Sequence, residues 1–305
     1  MTTSKQLMVQ AAARNNAEWC AAMSRSHGLA SEFGLQAWTA PARTPRYYPD
    51  AVTLVPGTDP AALAARIDTT TPNASVKDSF ADLDLSEAGF QVLFEAQWIH
   101  RPASTSAVAP ALAWDVAGDP DTLRAWALAW DDGNGNANLF RPELLDDPAT
   151  FVLAGRSASG RVVAGAVASR SDHVVGLSNV FASDGGPDAA WPVVLDAVHW
   201  LFPTLPVVGY EHGDDLAAAV RHGFEPVGPL RVWLHGQTSF KSSPSPPFAT
   251  TVPTGKPERE GGELPDVEPA QGGELRDRRQ ERAEMVEDRL LRFKTEAKHN
   301  LTEGQ

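Results

Sequence analysis

Phe151-Val152-Leu153-Ala154-Gly155, Arg161-Val162-Val163-Ala164-Gly165-Ala166-Val167-Ala168 and the run from Val174 to Ala182 are three apolar, β-rich segments. The polar turns Arg156 to Gly160 and Ser169 to His173 separate them. Short β-rich runs divided by turns of this length predict an antiparallel meander. After the loop Ser183-Asp184-Gly185-Gly186-Pro187-Asp188 the period changes, and apolar residues fall at Trp191, Val194, Leu195, Val198 and Leu201. Steps of three and four trace one face of a helix. Pro203 and Pro206 end it, Val207-Val208-Gly209-Tyr210 reads as a fourth strand, and Asp214 to Arg221 as a short helix closed at Gly223, where a left-handed cap is natural. Leu230 to Leu234 is the last predicted strand.

This ordered run, Phe151 to Leu234, resembles the core of the GCN5-related N-acetyltransferases. The most specific stretch is Ala219-Val220-Arg221-His222-Gly223-Phe224-Glu225-Pro226-Val227-Gly228. It is similar to that family's pattern of helix, then Gly-Phe-x-x-x-Gly, then final strand. The resemblance implies an α/β fold with a mixed sheet, acetyl-CoA as co-substrate, and acyl transfer to a small amine. It also implies a strand, Val180, Phe181 and Ala182, whose main chain holds the pantetheine arm. Ser183, Gly185, Gly186, Ala189 and Ala190 fall where the family's pyrophosphate loop lies, at a helix start whose free N–H groups favour anions.

Two departures qualify that expectation. Asp184 and Asp188 flank the loop's only two glycines, and a carboxylate beside a phosphate costs roughly 1–4 kcal/mol at surface-like dielectrics. Either the loop turns these carboxylates away, using one as a helix cap, or CoA no longer binds. Ala219 stands where the family's thiolate-protonating tyrosine would be, so Tyr210, Ser178 or His212 is left to supply a proton. Glu211, at the end of the fourth strand, is the candidate general base, with water as the alternative. A competing function keeps the fold without catalysis, as a module for ligand sensing or protein interaction.

Composition narrows the rest. The chain has 305 residues, 42% hydrophobic, nine tryptophans and a net charge of −13, almost all of it carried by residues 1–236. An acidic body disfavours nucleic acid and favours cationic partners. The sequence shows neither a membrane-length apolar run nor a signal-peptide pattern, so no membrane partner and a cytoplasmic location are expected. Cys20 is the sole cysteine, which excludes an internal disulfide and a thiolate metal cluster; it is expected to be a buried structural residue. No metal site is expected. Asp132-Gly133-Asn134-Gly135-Asn136 to Glu143 has calcium-loop spacing, but Ala137 stands where glycine is required and Pro142 breaks the exit helix.

Residues 1–105 read as an N-terminal α+β lobe: a helix over 5–27, then strands at Trp38-Thr39, Ala51 to Val55, Ser75 to Phe80 and Phe90 to Ile99. Between the second and third, Asp59-Pro60 opens a helix. The order is that of a reduced, degenerate copy of the later half. Within it Val76-Lys77-Asp78-Ser79-Phe80 is polar enough to predict a solvent-facing strand, with a cleft between lobes as the alternative. Ala103 to Ala111 reads as a linker, and residues 112–236 as the acetyltransferase-like lobe, opening with a strand at Leu112 to Val116 and a helix at Asp119-Pro120. Residues 237–272 have a disordered composition. Residues 273–299 predict a charged amphipathic helix that binds a partner or self-associates, with a solvated helix as the plainer alternative.

Overall fold

The computed structural model describes residues 3–103, 112–183 and 185–236. The expected linker from residue 104, Asp184, and the expected disordered segment and amphipathic helix beyond residue 236 lie outside the described residues. Helix α1, Thr3–Ser26, opens the chain. It ends as its sequence predicts, with Gly28 at φ 71° and the Leu29 amide donating back to the Ser24 carbonyl, a left-handed cap. Strands β1, Glu32–Phe33, β2, Ala37–Thr39, and β3, Ala51–Thr53, follow. Helix α2, Pro60–Ala64, is capped by the Asp59 carboxylate. Strands β4, Ser75–Asp78, and β5, Phe90–Arg101, complete the first third.

The second stretch begins with β6, Ala113–Val116, and α3, Pro120–Asp131, whose N-cap Asp119 accepts from the Thr122 amide. The segment Pro142–Asp146 is a 3₁₀ turn. The meander is β7, Thr150–Arg156, β8, Val162–Arg170, and β9, Val175–Ala182. Helix α4, Gly186–Leu201, strand β10, Val207–Glu211, helix α5, Gly213–Arg221, and strand β11, Glu225–His235, close the described chain.

Among the described residues the eleven strands form one mixed sheet in the order β1-β2-β3-β4-β11-β5-β10-β9-β8-β7-β6. The sequence does not foretell the position of β5. It runs antiparallel between β10 and β11, pairing Trp98 with Tyr210 on one side and with Gly228 on the other. Residues 1–103 and 112–236 therefore contribute to a single sheet.

Helices cover both faces. Asn15 of α1 sits over the Ser169–Gly176 pair, and Trp126 of α3 lies by Gly165, on the same side of β8 by strand alternation. On the other side Val193 of α4 approaches Gly155, and Trp191 of α4 packs on Phe224 just after α5, with ring centroids 4.8 Å apart. The core beneath α1 joins Val9, Ala12 and Ala13 to Trp98, Val208, Tyr210, Leu230 and Val232. Each valine or leucine removed from water there contributes about 1.5–3 kcal/mol.

The expectation of a solvent-facing strand at Val76 to Phe80 is overturned: Val76, Lys77, Asp78 and Ser79 are buried and Phe80 is half-buried. Lys77 lies under α1 instead of meeting water, and the Asp78 carboxylate accepts from the Phe80, Asp82 and Leu83 amides. Among the described residues no helix is long and apolar enough to cross a membrane.

Candidate functional site

The site begins where two parallel strands separate. β9 and β10 pair only at Val175–Val207 and Gly176–Val208. Beyond that, β10 stays with β5 along its whole length while β9 stays with β8. A bulge on β9 accounts for the divergence. Val167 faces Ser178, but two residues earlier on β8, Gly165 faces Phe181, three residues further along β9. The extra residue adds local bend and twist. Asn179, inside the bulge, has φ 54°, a left-handed conformation that asparagine adopts more readily than most residues. The β9 edge facing β10 is thus without ladder partners beyond Gly176.

The gap opens beneath α1 into a small recess of about 10 Å³, room for about one water molecule. α1 is fastened over it by Asn15, whose side-chain amide donates to the Ser169 carbonyl at 2.8 Å and to Ser171 Oγ at 2.7 Å. Ser171 Oγ in turn donates to Glu18 at 2.6 Å. Gly176 makes this possible, since a Cβ there would run into the Asn15 carboxamide. The remaining walls come from Asn16 and Trp19 of α1, Trp98 of β5, Leu177 and Ser178 of β9, and Gly209 and Tyr210 of β10. Ser178 Oγ and Asn179 Oδ1 are buried without a hydrogen-bond partner, a condition that natural interiors rarely leave without a purpose or a ligand.

Ser178 and Tyr210 are therefore brought together across the gap. Tyr210 is buried edge-on against Trp98, centroids 5.7 Å apart. Burial, with Cys20 and Glu211 adding to it, pushes the phenol well above its usual pKa, so it stays protonated. Glu211 is not in this cleft. It is 6% exposed, and alternation along β10 turns it to the α4–α5 face, opposite Tyr210. His212 stands at the N-cap position of α5, its side chain making no cap bond, and packs on Phe94, centroids 5.4 Å apart. Burial lowers its pKa. Ala219 is fully buried in α5.

Val180, Phe181 and Ala182 are buried on the parted strand, Phe181 against Trp126 with centroids 5.5 Å apart. The Ser183 amide donates to the Val163 carbonyl at 2.8 Å, which turns the chain towards α4. Gly185, at φ 86°, is the N-cap of α4 and provides no side-chain cap bond. Gly186 is the first helical residue; Ala189 is exposed and Ala190 buried in the same opening turns. Asp188 does turn away, but not as a cap. Arg221 grips its carboxylate at 2.6 and 3.1 Å and His222 lies at 3.4 Å, and this grip, Arg221 foremost, lowers its pKa.

Several groups at the site were not foreseen. Lys77 is 4% exposed. Its ammonium donates to Asn16 Oδ1 at 2.7 Å and lies 4.1 Å from the centre of the Tyr210 ring. Burial lowers its pKa to about 8. Cys20, close by on α1, is buried, and desolvation raises its thiol to about 11. The Tyr48 hydroxyl lies beside the Asn179 side chain. Only the polar run around Lys77 and the helical stripe of Asn16 and Cys20 gave any hint of this cluster.

No family model matches the chain, and no curated protein matches it by sequence. Solved structures do. A GCN5-related N-acetyltransferase from Kribbella flavida superposes with a TM-score of 0.52 at 16% identity, covering 74% of this chain and 96% of that one. A putative acetyltransferase of the GNAT family from Novosphingobium aromaticivorans is also similar, at TM-score 0.45 and 13% identity, over 72% of this chain and 96% of that one. The chain has the fold of the GCN5-related N-acetyltransferases in a divergent form.

Proposed function

We propose that the chain is an acyl-CoA-dependent N-acyltransferase acting on a small amine, with acetyl-CoA as the co-substrate. The observation that carries this reading is the gap between β9 and β10, which leaves a strand edge without partners and leads to a helix start that no side chain caps. Such an edge suits the amides of a pantetheine arm, and the free amides of Gly185, Gly186 and Asp188 at the start of α4 suit a pyrophosphate, Pro187 having none. Asp188 fits this use because Arg221 already holds its charge. The co-substrate would supply an activated thioester acyl group.

The chain's own residues then have distinct tasks. Main-chain N–H groups around Val180 and Phe181 polarise the carbonyl under attack, a fixed-dipole effect that is strong where water is excluded. Tyr210 and Ser178 are the proton donors to the leaving group: the first is held as a phenol, and the second has a buried hydroxyl with nothing else to bond. Among the described residues no Asp, Glu or His side chain lines the cleft. The acceptor's proton is therefore assigned to water, and Glu211, across the sheet, to a structural role.

Thermal shift and turnover test the reading. Acetyl-CoA at a hundred times its dissociation constant should stabilise the protein by about 2.7 kcal/mol, and CoA thiol should be released when small amines are added. Glu211→Gln should leave the rate within about twofold, while Tyr210→Phe should lower it. No stabilisation at millimolar acetyl-CoA, together with no thiol release, would remove the proposal.

A further inference from the structure

We infer that Lys77 is a positioning residue for Tyr210: its ammonium, seated over the phenol ring, makes Tyr210 a stronger proton donor by stabilising the charge left on the oxygen when the proton departs. Lys77 belongs to β4, which β11 and β5 separate from β10 in the sheet, yet its ammonium lies 4.1 Å from the centre of the Tyr210 ring. The residue is 4% exposed, and its ammonium donates to Asn16 Oδ1 of α1 at 2.7 Å. Asn16 and Tyr210 both line the recess. The ammonium thus holds two of the lining residues from behind and touches no ligand itself.

A cation over an aromatic face counts for more where water is excluded, and a positive charge beside a phenol favours its ionised form. Burial works the other way. Tyr210 is enclosed with Trp98 edge-on against it, and desolvation makes the phenol reluctant to ionise. A buried acid of that kind needs a nearby cation to give up its proton, and Lys77 is that cation. No described ion pair includes Lys77, so no carboxylate neutralises it. The groups facing the ammonium are Asn16 and Cys20 from α1 and Tyr210 from β10, with Tyr48 close by. The Cys20 thiol, raised to about 11, stays neutral. Burial lowers the pKa of Lys77 to about 8, so its charge is present at neutral pH and is lost above that value. As the thioester C–S bond breaks, the proton leaves Tyr210 Oη for the sulfur, and water reprotonates the phenolate once the thiol has gone.

The proton-donor role rests on the acyltransfer reading, whereas the contact between the two side chains does not. The test uses the full chain, following thiol release from acetyl-CoA with ethylamine as acceptor and the free-amine concentration held constant at each pH. Wild-type kcat should fall as pH rises through about 8. Lys77→Met should lower kcat at neutral pH by about tenfold, the order of a desolvated cation–π contact. It should leave KM for acetyl-CoA within about twofold and lose the alkaline fall. Lys77→Arg, whose guanidinium keeps its charge, should recover part of kcat without that fall. In the Tyr210→Phe background Lys77→Met should change kcat by less than about twofold. Carbon-13 NMR of tyrosine labelled at Cζ reads the contact without acetyl-CoA. The chain has three tyrosines, and the signal missing from Tyr210→Phe should move with a midpoint near pH 8 in the wild type and stay still in Lys77→Met. The same alkaline fall in Lys77→Met, or independent losses from Lys77→Met and Tyr210→Phe, would overturn the inference and leave acyltransfer standing. So would a wild-type Tyr210 signal that does not move. No turnover by the wild type would remove the acyltransfer reading and the proton-donor role with it, while a Tyr210 signal that follows Lys77 would uphold the contact. If Lys77→Met does not fold, the wild-type titrations and Lys77→Arg decide.

Discussion

Gly176→Ala is the substitution that most sharply tests how the cleft is roofed. Gly176 has no positive φ, so its backbone accepts alanine, and chain entropy alone would favour the change by about 0.4–1 kcal/mol. The side chain has no room. Its Cβ would fall 2.9 Å from Asn15 Cγ and 2.9 Å from Ser169 Oγ, with Asn15 Oδ1 nearer still. Asn15 must withdraw, and its bonds to the Ser169 carbonyl, Ser171 Oγ and Ser169 Oγ go with it. Overpacking costs about 1–3 kcal/mol, and each lost bond about 1 kcal/mol, more where a buried partner is orphaned. A net loss of about 3–5 kcal/mol corresponds to a Tm lower by roughly 6–20 °C for a chain of this size. Differential scanning calorimetry of Gly176→Ala, Asn15→Ala and the double variant measures it. In the Asn15→Ala background the glycine change should cost under about 1 kcal/mol, since the clash with Asn15 is gone and only the rotatable Ser169 hydroxyl must turn aside. A Tm drop below about 3 °C, or additive effects in the double variant, would refute the account of how α1 is seated.

Lys77 makes stability depend on alkaline pH. Its folded pKa, about 8, is below the ordinary 10.5, so between these values the unfolded chain binds more protons and stability rises with pH. The advantage of Lys77→Met over wild type should shrink by up to about 3 kcal/mol from pH 8 to 10.5; a pH-independent difference in urea unfolding would contradict this. Cys20, with its thiol raised to about 11, should react with a disulfide reagent at least about a hundredfold more slowly in native than in unfolded protein, and equal rates would show it exposed. Asp188 and Arg221 form an exposed pair, so losing either should change stability by less than about 1 kcal/mol. Their effects on acetyl-CoA should have opposite signs: Arg221→Ala weakens binding by about tenfold by freeing a carboxylate at the helix start, and Asp188→Ala tightens it. Calorimetric titration reads both, and shifts of the same sign would argue against a phosphate at that turn.

What was legible in the sequence was whatever depended on near neighbours. The meander from Thr150 to Ala182 is announced by its polar turns, α4 by its stripe from Trp191 to Leu201, and α5 by Gly223, which indeed has φ 86°. β11 starts five residues before the predicted Leu230 because Pro226, Gly228 and Pro229 look like breakers. The structure absorbs them with a register shift between Pro226 and Gly228 against β5. The place of β5 was not legible, since nothing local says that Trp98 will lie opposite Tyr210. The candidate site divides the same way. Ser178, Tyr210 and the strand through Ala182 follow from strand order, whereas the separation of Glu211 from Tyr210 needs the orientation of β10 against its helices. Lys77 looked like a solvated residue because the helix that covers it begins some seventy residues earlier in the chain. The bulge at Asn179 was not legible, because asparagine tolerates a left-handed backbone without requiring one.

Hydrogen exchange with and without acetyl-CoA tests most directly whether the parted strands form the binding slot. The account predicts slowed amide exchange concentrated in peptides covering Val175–Ala182, the start of α4 and Val207–Glu211. Protection confined to other parts of the chain, or exchange identical in both samples at saturating acetyl-CoA, would contradict it.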